Sequence, residues 1–78
     1  MVTSIALHSK EDVIRLNKVA CSKEYNVGVS CGSATFDAKS LLALFSLIGK
    51  SGILLVLPDH CSEKEAFRTL KQMKLATR

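Results

Sequence analysis

Phe36-Asp37-Ala38-Lys39-Ser40-Leu41-Leu42-Ala43-Leu44-Phe45-Ser46-Leu47-Ile48-Gly49-Lys50-Ser51-Gly52 runs a short strand into an apolar helix and closes it on glycine. Asp37 is placed to cap a helix over 38–48, and Gly49 fits its C-terminal stop. Ser40 falls in the first turn of that helix, where unpaired N–H groups and a partial positive charge favour a phosphate. Six large apolar residues crowd eight positions from Leu41 to Ile48. One core-facing stripe of a small domain needs fewer, so part of this helix is expected to be exposed as an interaction surface.

Outward from this stretch the elements alternate. Val2–Leu7 reads as a first strand. Ser9 with Asp12 approximates a capping box, and Val13, Leu16 and Ala20 recur at helical spacing over 10–22. Tyr25-Asn26-Val27-Gly28-Val29-Ser30-Cys31 places apolar residues at odd positions, a strand with one buried face. Gly32-Ser33 is a two-residue hairpin loop with glycine first, and Ala34–Phe36 returns. Ile53–Leu57 is apolar throughout and reads as a central strand. Ser62 and Glu65 form a capping box, with Ala66, Phe67, Leu70 and Met73 as the expected buried stripe of a third helix. The order is βαββαβα, an α+β fold with three helices on one face of a four-stranded antiparallel sheet.

At 78 residues, one domain over 1–78 is expected, with a thin core. Cys21, Cys31 and Cys61 are odd in number and lack paired-ligand spacing. Buried or half-buried thiols are expected, with no disulfide framework and no metal, even with His60 beside Cys61. Met1–Leu7 is too short and too poor in basic residues for a signal peptide. Gly49–Gly52 interrupts the longest apolar run, so no membrane span and a cytoplasmic location are expected. Net charge is +4, and Lys64, Arg68, Lys71, Lys74 and Arg78 line one side of the last helix. No aromatic accompanies them in a nucleic-acid-binding pattern, so a solvated face is expected and nucleic acid is not an expected partner.

From Gly32 to about Leu70 the chain resembles the histidine-containing phosphocarrier protein, HPr, of the bacterial phosphoenolpyruvate-dependent sugar phosphotransferase system. The residues that carry the resemblance are the hairpin turn, Ala38-Lys39-Ser40-Leu41, Ser46-Leu47, the Gly-bounded turn, the apolar strand and the acidic start of the last helix. The resemblance implies an HPr-like open-faced β-sandwich. It also implies a relay of phosphoryl groups from Enzyme I to sugar-specific components, regulatory phosphorylation at Ser40, and partner docking on Leu41, Leu42 and Phe45.

Ala6-Leu7-His8-Ser9-Lys10-Glu11 follows the family's carrier motif loosely. In that register His8 is the phosphoryl acceptor and Lys10 stands for the motif's Arg, while Ala6 replaces its Gly and Glu11 its Pro. The loop before His8 is also shorter than in the family. A second register, set by the helix body, puts the family's His on Lys10, its Arg on Asp12 and its Pro on Val13.

Periodicity alone puts Leu41, Leu44, Phe45 and Ile48 in the core. The resemblance puts Leu44, Leu47 and Ile48 there and leaves Leu41, Leu42 and Phe45 outside, which is the expectation adopted. The chain has no sequence signature of a nucleophile–base pair, a Gly-rich phosphate loop or paired carboxylates, so no enzyme activity and no cofactor are expected. The expected function is a degenerate HPr-like protein acting by contact with phosphotransferase-system proteins or a regulatory protein. The alternatives are a working carrier that uses His8 and a ferredoxin-like small-ligand regulatory module.

Overall fold

The computed structural model describes residues 1–77. Its elements are β1 (Val2–Ala6), α1 (Lys10–Cys21), β2 (Gly28–Cys31), β3 (Ala34–Asp37), α2 (Leu41–Phe45), β4 (Ile53–Val56), α3 (Glu63–Met73) and β5 (Ala76–Thr77). The chain is α+β. The four strands read from the sequence form one antiparallel sheet, and a fifth, two-residue strand joins beside β1 to give the order β3-β2-β4-β1-β5. That fifth strand was not foreseen. Two residues hold too little pattern to be told from a terminal loop.

β4 lies between β1 and β2, as its apolar run implies. Thr3 faces Leu55 and Ile5 faces Ile53 across one boundary, while Val29 faces Leu55 and Cys31 faces Ile53 across the other. Side chains alternate between faces, so this row turns one way and Ser4, Ser30 and Leu54 turn the other. Ile5, Val29, Ile53 and Leu55 are buried beneath the helices. On the opposite face Leu54 is 37% exposed. The sheet is therefore covered on one side only. At the far edge Cys31 pairs with Ala34 across Gly32-Ser33, and Gly32 takes a φ of 62°, which glycine adopts without a Cβ clash.

α1 buries Val13, Leu16 and Ala20, the stripe given by their spacing, and packs against both α2 and α3. α3 departs from expectation. Its buried residues are Ala66, Thr69 and Met73, Leu70 is half-buried, and Phe67 is 61% exposed. Thr69 reaches the core because its hydroxyl is satisfied there: it donates to the Glu65 carbonyl (2.9 Å) and bonds the Tyr25 hydroxyl (2.7 Å). A buried hydroxyl with partners costs little, whereas one left unpaired costs heavily.

α2 is also shorter than expected. Asp37 ends β3 instead of capping the helix. Its carboxylate accepts from the Lys39 N–H (2.9 Å) and its carbonyl from the Ser40 N–H (2.9 Å). Ser40 is the N-cap, one place before the helix, with no side-chain capping bond. Past Phe45 the chain tightens into i→i−3 bonds, Leu47 N–H to Leu44 O (3.0 Å) and Lys50 N–H to Leu47 O (3.1 Å). The Ser46 hydroxyl takes the Ala43 carbonyl (2.7 Å), which competes with helix continuation.

Among the described residues no helix is long and apolar enough to cross a membrane. The thiols are free. Cys31 and Cys61 are half-buried as expected, but Cys21 is exposed because it falls at the last residue of α1, clear of the core stripe. Lys74 lies beyond α3 as its left-handed C-cap, and Arg78 lies outside the described residues.

Burial raises the Tyr25 phenol above its ordinary value near 10. Its folded form therefore holds a proton that the unfolded chain releases, and stability falls as pH rises above about 10. Tyr25→Phe should lose the Thr69 bond, costing roughly 0.5–1.5 kcal/mol at neutral pH, and should flatten the alkaline decline. Urea titrations at neutral and alkaline pH measure both effects.

Candidate functional site

Two places gather the residues singled out from the sequence: the start of α1 and the surface of α2. Leu7 is buried and anchors the chain leaving β1, so His8 emerges at the surface just before the α1 cap. Ser9 is that N-cap, and its hydroxyl accepts from the Asp12 N–H (3.4 Å). The Asp12 carboxylate turns back on the same helix start. Its Oδ2 accepts from the His8 backbone N–H (2.9 Å), and its Oδ1 accepts from Arg15 Nη2 (2.6 Å). Arg15 is held further by its Nε, which donates to the Met73 carbonyl (2.9 Å).

These bonds decide what the start of α1 can hold. Its free amides would attract an anion, but the Asp12 carboxylate, bonded to the His8 N–H just ahead of the cap, sets a negative charge beside them. Glu11 adds a second negative charge in the first turn. Arg15, the guanidinium of this helix, is committed to Asp12 and to the end of α3. Lys10 is exposed and is a point charge without the bidentate fork of arginine.

His8 borders a small cleft of about 140 Å³ whose other wall is Gly49, Lys50 and Ser51. The Gly49 N–H donates to the Leu7 carbonyl (2.9 Å), which ties the turn after α2 to the end of β1. Gly49 has a φ of 80°, a left-handed conformation that side-chain-bearing residues rarely adopt. Lys50, not marked by any sequence motif, is thereby the cation that shares this cleft with His8. Only the tertiary bond between Gly49 and Leu7 reveals it.

On α2 the apolar residues divide. Leu44 and Leu47 are buried, Phe45 and Ile48 are half-buried, Leu41 is 37% exposed and Leu42 is 83% exposed. Leu41 therefore leaves the core stripe that periodicity alone gives it. Leu41, Leu42 and Phe45 lie within one and a half helical turns, beside Ser40, which is exposed. A large apolar side chain this open to water gains little in the isolated fold and gains more once a partner covers it.

The chain was compared with family models, with curated proteins and with solved structures, and none of them matched it.

Leu44→Ala should destabilise the fold by about 2–5 kcal/mol, the cost of a core truncation. Leu42→Glu should change stability by no more than about 0.5 kcal/mol. Denaturant midpoints of the two variants measure this, and equal losses would place Leu42 in the core.

Proposed function

We propose that this chain is an HPr-like open-faced β-sandwich that works as a protein-docking module of the sugar phosphotransferase type. Its contact surface is Leu41, Leu42 and Phe45. The single observation that carries this reading is the exposure of Leu42, next to Leu41, on a helix whose Leu44 and Leu47 are anchored in the core. The backbone of the patch is thus held while its apolar surface faces water.

The sheet supports the HPr-like reading over a ferredoxin-like one. In a ferredoxin-like sheet of two split βαβ units the third strand lies between the first two and the fourth lies at an edge, whereas here β4 lies between β1 and β2. The bonds at the start of α1 support docking over phosphoryl transfer. A phosphoryl group on His8 would face the Asp12 carboxylate, with Arg15 already engaged. His8 as phosphoryl acceptor, with Lys10 beside it, belongs to the alternative reading of a working carrier. Ser40 adjoins the patch, so phosphorylation there would set a charge of roughly −2 beside Leu41 and weaken an apolar contact. The partner is an Enzyme I-like protein, a sugar-specific component or a regulatory protein.

Incubation with Enzyme I and labelled phosphoenolpyruvate should leave the wild-type chain without an acid-labile label. A label that disappears in His8→Ala would make the chain a working carrier instead. Titration calorimetry against phosphotransferase-system components should show binding that Leu42→Glu weakens at least about tenfold, roughly 1.4 kcal/mol, with the fold intact. Ser40→Glu should weaken it in the same direction. Binding that Leu42→Glu leaves unchanged would remove α2 as the docking surface.

A further inference from the structure

The outward face of α3 carries a separate arrangement. Phe67, which apolar character assigns to the core, is 61% exposed, while Phe36 and Phe45 are half-buried. It lines a surface cleft of about 310 Å³ with Lys64, Arg68 and Lys71. Spacings of three and four residues put all four side chains on one side of the helix. At about 1.5 Å of rise per residue, the three cations span about 10 Å along the axis with the ring between them.

Among the described residues neither Lys64 nor Lys71 enters an ion pair. Arg68 is paired at 3.4 Å with Glu65, which Lys23 also approaches at 3.6 Å. Glu65 is half-buried and shared between two cations, and Glu63 is the exposed acid of the first turn. The net charge of +4 has the same sign as this face.

The composition of the face selects its occupant. A membrane-binding helix needs a broad apolar side, and a protein interface needs an apolar centre of several residues. Here one aromatic ring stands among cations. Single-stranded nucleic acid meets both features at once, because every base has a flat face to stack and every nucleotide a phosphate to neutralise. We infer that this face of α3 binds single-stranded nucleic acid, one base stacking on Phe67 while Lys64, Arg68 and Lys71 neutralise neighbouring phosphates. Stacking and charge neutralisation do not read base identity, so binding tolerates any sequence and depends on salt. This surface is distinct from the α2 patch, and its test does not depend on the docking reading.

The test is fluorescence anisotropy of labelled oligouridylate and oligothymidylate of about 12 nucleotides with the full chain. Three neutralised phosphates give a slope of log affinity against log salt near −2, and Lys71→Gln should bring it to about −1.4. Phe67→Ala should weaken binding roughly 5- to 100-fold, and Phe67→Trp should restore it. Lys18→Gln, exposed on α1, should leave binding unchanged. Absence of saturable binding at about 20 mM salt would overturn the inference. So would equal affinities of wild type and Phe67→Ala, the mark of charge attraction alone. Tighter binding of a polyglutamate peptide of similar length would assign the face to an acidic protein and overturn it equally. Circular dichroism of each variant confirms that the fold is retained.

Discussion

Ile53–Val56 has both of its backbone edges occupied, by Val2–Ile5 on one side and Gly28–Cys31 on the other. Almost everything else is placed by that strand. Its inward pair, Ile53 and Leu55, is the floor on which the helices rest, and a one-residue slip would exchange that pair for Leu54 and Val56. The adjoining strands hold the floor in register, with Ile5 opposite Ile53 and Val29 opposite Leu55. Below about 80 residues a chain has little apolar area to spare, so this single row of aliphatic side chains has to anchor every helix. The turn after α2 is then fixed from the same sheet, through the bond from the Gly49 N–H to the Leu7 carbonyl just beyond β1. The position of Leu42 and that of His8 both trace back to this one sheet face.

Local chemistry was legible wherever neighbours in sequence decided it. The hairpin at Gly32-Ser33 follows from strict alternation and from a glycine able to take a positive φ. The cap at Ser9 and the stripe Val13, Leu16 and Ala20 follow from spacing within one helix. Long-range bonds hid the rest. Thr69 replaces Phe67 in the core because its hydroxyl meets that of Tyr25, 44 positions away in the chain. Neighbouring helical positions differ by about 100°, so with Ala66 turned inward Phe67 swings to the side. The shortening of α2 combines a visible cause with a hidden one. Ser46 bonding back to Ala43 is a local tendency of serine, whereas the capture of Gly49 by Leu7 is tertiary.

The start of α1 shows how a cap can set a negative charge beside a potential anion site. A helix N-terminus favours anions because its first N–H groups have no partner in the helix. Here the Ser9 hydroxyl takes the Asp12 N–H, while the Asp12 carboxylate, held by the N–H of His8 ahead of the cap, sets a negative charge beside the helix amides. Arg15 then fixes Asp12 in place and links it to the last turn of α3. The same residues that stabilise the helix start oppose a second negative charge there.

Helix α1 packs against both other helices, α2 and α3. The apolar surface around Leu42 and the basic aromatic surface around Phe67 lie on different helices, α2 and α3. No side chain belongs to both surfaces, so substitutions on one should not propagate to the other unless α1, which packs against both helices, moves. The Asp12–Arg15–Met73 chain of contacts makes such movement costly, since it ties the first turn of α1 to the end of α3. One small core can in this way present two unlike faces, one apolar and one cationic, without either having to give up stability for the other.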